Sequence, residues 1–393
     1  MDPAYDLAEA ALHLGLSPEE EGRLLRRYRE DSGDESVQDR LFLHKLLAGL
    51  RAMTEATRNI EQHDLSHRQR EYHNDYVRAW DYLTVQSARR CGRLCGAPPS
   101  PGWASPLVVL DVDGVLDRRL FGFPCTSLAG VQSLALLHAH GRAVALNTAR
   151  SAREVKEYCA AYGCAGAVAE YGSYVWDAVG RRGRSLIAAE PLRQLDRART
   201  ALARLPGVFV NDGYEHSIRA CTYEDGVPVP LPTLMIHRLL AEHGLNELAW
   251  HQTTIDTTVT ARDVHKGTGL LALLDWVGLA GAETLAVGDS EPDLAMFRAA
   301  RRSFAPSHIS CGRLARFLGC DIAPQPYQRG LLHIVRSLVH PDGGRCDRCA
   351  GAERLWEPGE DLFLDLLAAA DDKRLRRLVR ALFHPAAFSV FAG

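Results

Sequence analysis

Pro106–Arg119 reads PLVVLDVDGVLDRR. A run of β-formers, Leu107 to Leu110, ends on Asp111, and Asp113 and Gly114 follow at once. Residues two apart on an extended strand point the same way. Asp111 and Asp113 can therefore face one point, and Gly114 lets the chain turn sharply behind them. Two carboxylates that close repel one another unless a cation or a shared proton relieves them. The stretch reads as a buried strand that delivers two acids to its carboxyl end.

Two further runs have the same build: AVALNTA (143–149) and TLAVGDS (284–290). Helical segments separate the runs, and that alternation predicts an α/β domain with a parallel sheet. In open parallel sheets ligands bind at the carboxyl ends of the strands, so Thr148 and Asp289 are expected beside Asp111. Lys266, in DVHKGTGLL, opens a helix, where its ammonium and the helix N-terminus can both face an anion. Asp111, Asp113, Asp289 and Asp293 (in VGDSEPD) make an oxygen-only set of the kind that suits Mg²⁺. A carboxylate can also attack phosphorus and form an aspartyl-phosphate, a reaction helped mostly by positioning and charge neutralisation.

DVDGV, the Thr of ALNTAR, the Lys of DVHKG and GDSEPD resemble, in order, the four motifs of the haloacid dehalogenase (HAD) superfamily, over about residues 107–340. The resemblance implies a Rossmann-like parallel-sheet core with an inserted α/β cap. It implies Asp111 as nucleophile and Asp113 as general acid/base. Thr148 and Lys266 would bind the phosphoryl group. Asp289 would hold Mg²⁺ with Asp111 and the Asp113 carbonyl, and Asp293 would support that site. An acid at Asp113 is the mark of the superfamily's phosphatases and mutases, whereas its dehalogenases lack one there. Thirty-seven positions separate Asp111 from Thr148 and 118 separate Thr148 from Lys266. That places a large cap after the second motif, similar to the subgroup of Cof-type sugar-phosphate phosphatases, sucrose-phosphate phosphatase, trehalose-phosphate phosphatase and phosphomannomutase. VAEYGSYVWD (168–177) also resembles that subgroup, except that Tyr171 stands where such sequences often carry Asn. The implied activity is a Mg²⁺-dependent phosphatase of a small phosphorylated metabolite, such as a sugar phosphate. The alternatives are a phosphomutase of the phosphomannomutase type, and a regulatory or binding protein that keeps the fold.

The division of the chain follows from composition. Residues 1–96 read as a helical region: Ser17-Pro18-Glu19-Glu20-Glu21 is a helix start, and Leu41–Met53 and Tyr72–Leu94 continue the pattern. APPSPGWASP (97–106) is a linker. Residues 107–150 and 263–340 form the core, and 151–262 the inserted cap, with strand-like AGAVAEYG, VFVND, SIRACTY and TTIDTTV and helical Leu192–Leu205 and Thr233–His243. After Val339 comes a polar break, HPDGGRCDRCAG, and residues 341–393 form a tail with that CxxC turn and a short helix.

Other features are less specific. A formal net charge of −3 gives no support to a nucleic-acid binder. No apolar run approaches the roughly 20 residues needed to cross a bilayer. The opening MDPAYDLAEAALHLGL has no basic run or cleavage pattern, and the ten cysteines are scattered, which together point to a reducing cytoplasm. Cys346 and Cys349 form a CxxC, and Cys91 and Cys95 a looser pair; together they offer a Cys₄ zinc set, against free thiols as the plainer reading. His216 and Arg219, in YEHSIRA, are candidates for substrate contact from a cap strand. Arg118 and Arg119 could meet an anion at the site entrance. Tyr72, Tyr76 and Trp80 share one helix face, which suits core packing or a homo-oligomer contact through the N-terminal helices.

Overall fold

Ser17 starts its helix with a reciprocal cap: its hydroxyl accepts the Glu20 N–H, and the Glu20 carboxylate accepts the Ser17 N–H at 2.9 Å. The computed structural model describes residues 2–62, 67–97, 102–344 and 346–372. Residues 98–101 of the expected linker and the tail beyond 372 lie outside the described residues. Two units result, Met1–Ser87 with the chain from Trp356, and Ala88–Leu355.

In the first unit, helices α1 (Pro3–His13), α2 (Pro18–Ser32) and α3 (Val37–Glu61) succeed one another, followed by α4 (Gln69–Gly92), whose last residues from Ala88 belong to the second unit. Ala8, Leu25, Leu41 and Ala48 form a core cluster there. Asp2 caps α1 and is bound by the Arg40 guanidinium at 2.8 Å. Tyr72 is buried, and the Tyr76 and Trp80 rings lie 6.0 Å apart. One expectation is corrected. The tail does not form an element of its own from residue 341: from Trp356 it counts with the N-terminal helices, and its Phe363 ring packs edge-on to Phe42 at 5.0 Å.

The second unit is built on an eight-stranded sheet. Its strands are β1 (Leu107–Leu110), β4 (Ala143–Asn147), β5 (Gly166–Ala169), β6 (Tyr174–Asp177), β7 (Arg182–Ser185), β13 (Thr284–Val287), β14 (Arg302–Ala305) and β15 (Asp321–Ile322), in the order β15-β14-β13-β1-β4-β5-β6-β7. The pairs from β15 to β5 are parallel; β6 and β7 add an antiparallel edge. β1 is central and buried at all four positions, which explains its unbroken apolar run. Helices α5 (Leu128–Ala139), α6 (Ala152–Tyr162), α9 (Lys266–Trp276), α10 (Asp293–Ala299), α11 (Gly312–Phe317) and α12 (Tyr327–Val339) connect the strands. A hairpin of β2 (Asp117–Arg119) and β3 (Pro124–Thr126) follows the first motif.

The cap is smaller than expected. Residues 151–185 supply α6 and β5 to β7 of the core, because AGAVA pairs with β4 and its neighbours rather than with the cap. The cap proper runs from α7 (Ala189–Ala203) through β8 (Phe209–Asn211), β9 (Ile218–Glu224), β10 (Val227–Pro230), α8 (Thr233–Glu242) and β11 (Leu248–Gln252) to β12 (Thr257–Ala261). Its five strands are antiparallel, ordered β10-β9-β12-β11 with β8 beside β9. Leu195, Leu202, Ile218, Ile236, Leu248 and Val259 join the sheet and the two helices in a separate core.

Candidate active site

The parallel register sets the site. β1 pairs with β4 on one side and β13 on the other, Leu110 lying beside both Leu146 and Val287. The residues that follow, Asp111, Thr148 and Asp289, therefore leave the sheet at one edge. Gly114 sits just beyond at φ 87, and a Cβ there would fall 1.8 Å from Asp289 Oδ2. That close approach explains the glycine.

Asp111 is buried, and its Oδ1 accepts the Val112 N–H at 2.7 Å. Lys266, the first residue of α9, places its ammonium 2.8 Å from Asp111 Oδ2 and 2.6 Å from Asp293 Oδ1. Burial disfavours the Lys266 charge, yet Asp111 and Asp293 outweigh it and hold the amine well above its ordinary range. Burial and the charge of Asp293 push the Asp111 carboxyl well up, against Lys266. Asp293 spends its other oxygen on the N–H groups of Asp289 and Ser290, each at 2.9 Å, and on the Ser290 hydroxyl at 2.8 Å. It thereby shapes the loop that presents Asp289.

Asp113 sits beyond the strand, with its side chain 54 % exposed. Arg150 forks onto it, Nη2 to Oδ1 at 2.7 Å and Nε to Oδ2 at 3.1 Å. The surrounding protein acts to raise the Asp113 carboxyl, but Arg150 outweighs that and, with Arg219 and Lys266, holds it below the usual carboxylate range. Arg150 is itself fixed by Asp117 at 3.1 Å and Tyr158 at 2.6 Å, both buried. Thr148 is buried and its hydroxyl accepts the Arg150 N–H at 3.2 Å.

The sequence reading missed Arg150 and His308. Arg150 stood in the quoted ALNTAR, two residues after Thr148, and a cation beside an acid pair was a usable signal. His308 had none. Its Nδ1 accepts the Tyr327 N–H at 3.1 Å, so its proton lies on Nε2, which donates to Asp289 Oδ2 at 2.9 Å.

Asp111, Asp289 and Asp293 bring carboxylate oxygens within 4.8 Å of one another. Burial and Asp293 also push the Asp289 carboxyl up, although His308 opposes this. Acids crowded in a buried site with oxygen donors only fit a hard divalent cation. Asp113 is not in that cluster by its side chain, and Arg150 occupies both its oxygens.

The two cap candidates separate. The charge of Arg219 acts on both Asp113 and Tyr171. Asp256 holds it at 2.7 Å and Tyr214 at 2.5 Å. His216 instead stacks on Tyr174 of β6, centroids 4.8 Å apart, and its N–H donates to Glu170 at 2.9 Å. It serves the joint between cap and core. Arg119 donates to the Gly122 carbonyl in its own hairpin at 3.0 Å, and Arg118 lies over the Tyr327 ring at 5.6 Å.

The Cys₄ set does not assemble. Cys91 and Cys95 are buried against backbone carbonyls, Thr126 at 3.6 Å and Gly92 at 3.1 Å respectively, whereas Cys346 and Cys349 group with two histidines.

Residues 238–307 match the model of the haloacid dehalogenase-like hydrolases. The matched segment spans the end of the cap and carries Lys266, Asp289 and Asp293. No curated protein sequence matches the chain. Among solved structures, a haloacid dehalogenase-like hydrolase from Bacteroides thetaiotaomicron is similar at 12% identity over 60% of this chain and 100% of that one, TM-score 0.47. One from B. subtilis is similar at 16% identity over 59% of this chain and 99% of that one, TM-score 0.44. The sucrose-phosphatase of Synechocystis, solved with sucrose and phosphate, is similar at 16% identity over 59% of this chain and 97% of that one, TM-score 0.43. Among the described residues, no helix is long and apolar enough to cross a membrane.

Proposed function

We propose that this protein is a phosphatase of a small, hydroxyl-rich phosphate ester, dependent on Mg²⁺ and acting through a phosphorylated Asp111. The observation that carries the reading is the pairing of a buried carboxylate held by Lys266 with a solvent-reached carboxylate held by Arg150. One would attack and the other would move protons. Asp111 forms a bond to phosphorus as the ester P–O bond breaks, and Asp113 gives the departing oxygen its proton. Asp113 then takes a proton from water as that water attacks phosphorus, and the Asp111–phosphorus bond breaks to release phosphate. Arg150 keeps Asp113 ionised at rest, and the negative phosphate entering beside it favours proton uptake. Lys266 and Thr148 would hold phosphoryl oxygens. Mg²⁺, held by Asp111 and Asp289, would neutralise phosphate charge.

The cap supplies the support for a hydroxyl-rich substrate. His251, Thr258 and Arg219 are register partners across β11, β12 and β9, so they stand in one row on one face. Each has a buried polar atom without a hydrogen-bond partner: His251 Nε2, Thr258 Oγ1 and Arg219 Nε. Buried polar atoms are rarely left so. Tyr171 packs on His251 with centroids 4.0 Å apart, and the Lys266 charge reaches both rings, which ties the row to the site below. Asp256 offsets the Arg219 charge, and burial followed by Arg219 pushes His251 down to about 4. The row is thus polar but nearly neutral, as a polyol requires.

The test is phosphate release from a panel of sugar and polyol phosphates, with Mg²⁺ and with chelator, for the wild type and Asp111→Asn. Release by the wild type alone, and only with metal, is the expected result. Absence of release across the panel overturns the reading, and an isomerised sugar phosphate without net release replaces it with a mutase.

A further inference from the structure

Four metal-binding side chains meet in the second unit away from the catalytic cleft. His140 follows the last turn of α5, and His340 follows α12. Cys346 caps α13 (Asp347–Glu353), and Cys349 lies in its first turn. Cys349 Sγ is 2.9 Å from His340 Nε2 and 3.3 Å from His140 Nε2. Cys346 Sγ is 3.7 Å from His140 Nε2 and 3.7 Å from Cys349 Sγ. All four ligand atoms lie within 4.8 Å of one another.

Three of these four separations match the edges of a zinc tetrahedron, and the fourth, Cys349 to His340, is shorter. Zn–S bonds of about 2.3 Å and Zn–N bonds of about 2.0–2.1 Å give ligand-to-ligand edges of roughly 3.3–3.8 Å. The sulfur separation is far beyond the about 2.05 Å of a disulfide. We propose that His140, His340, Cys346 and Cys349 bind one zinc ion. Thiolate with imidazole selects zinc over the oxygen-seeking Mg²⁺ of the cleft. Four protein ligands leave no open position, which marks a structural site rather than a catalytic one.

The position fits that role. α13 has seven residues, of which Cys349 and Ala352 are buried, and it packs on α5. A zinc ion would pin it and the turn after α12 to the end of α5. His140 lies just before β4, whereas Thr148 lies just after it, so the zinc would sit at the amino edge of the sheet, opposite the reacting carboxylates.

Metal analysis of the full chain, purified without added metal, decides the matter. About one zinc per chain is expected, falling at least tenfold in Cys346→Ser/Cys349→Ser and unchanged in Cys91→Ser. Chelator-stripped wild type titrated with Co²⁺ should show thiolate-to-cobalt charge-transfer absorption that Zn²⁺ displaces, a readout that stands even if the double variant folds poorly. Stripping should lower the melting temperature. Wild type that takes up neither Zn²⁺ nor Co²⁺ at stoichiometric levels, a Cys346–Cys349 disulfide in freshly purified protein, or full zinc in the double variant would each overturn the proposal.

Discussion

The Arg150 guanidinium is forked onto Asp113 at 2.7 and 3.1 Å while Asp117 and Tyr158 fix it from behind. The proposed acid/base is thus oriented by a buried cation that also lowers its proton affinity. Arg150→Met should cut kcat about 10²-fold, the usual scale of a misplaced proton donor. The sign of the pH effect follows: without the guanidinium, Asp113 rises, so when the water-attack step, in which Asp113 must be ionised, limits kcat, the acid limb of kcat moves to higher pH. Arg150→Lys keeps the charge but loses the fork, so it should lose rate with a smaller limb shift. pH–rate profiles of the three proteins check this, and an unmoved limb in Arg150→Met would show that Asp113 is not the titrating group.

Lys266 bridges two buried carboxylates with its single ammonium. Lys266→Met leaves Asp111 and Asp293 without their cation and should cost roughly 3–5 kcal/mol of stability. Lys266→Met/Asp293→Asn removes one of the stranded charges and should recover part of that loss while remaining inactive. Urea unfolding of both variants separates the structural effect from the chemical one.

Gly114→Ala forces a Cβ into the Asp289 carboxylate and strains a φ of 87. Mg²⁺ activation should then need at least about tenfold more metal, since the displaced Asp289 is the proposed ligand. Gly207→Ala is the control: its φ is 71 but nothing lies within 4 Å of the new Cβ. It should cost only about 1–2 kcal/mol of backbone strain and leave the metal dependence alone. Equal metal curves for the two variants would detach Gly114 from the metal site.

The positions of Asp111, Thr148, Lys266 and Asp289 were legible because each lies where an apolar run stops or a helix starts, and parallel register then brings the ends together. β5 to β7 were misread as cap because AGAVA looks the same whichever sheet it joins; membership depends on β4, a partner remote in sequence. The zinc ligands show the same limit. His340 stands six residues before Cys346 and could have been read with the CxxC, but His140 is placed only by the packing of α5 against α12 and α13. His308 reaches Asp289 through a turn fixed by Tyr327 at φ 52, which no local pattern announces.

The row of His251, Thr258 and Arg219 makes the last prediction. A site built to hydrogen-bond hydroxyls loses affinity when either side of the bond is removed. Thr258→Ala and His251→Ala should each raise KM several-fold to about tenfold, roughly 1 kcal/mol per bond, with kcat little changed, because neither residue touches the reacting atoms. Since His251 is pushed down to about 4, its imidazole is neutral throughout the working range, and its contribution to KM should be flat above about pH 5. A deoxy analogue of the best substrate supplies the cross-check. If the missing hydroxyl is the one bound at Thr258, the wild type should lose the same factor on the analogue that Thr258→Ala loses on the full substrate, and the variant should lose nothing more. Losses that multiply instead would place that hydroxyl elsewhere in the cleft.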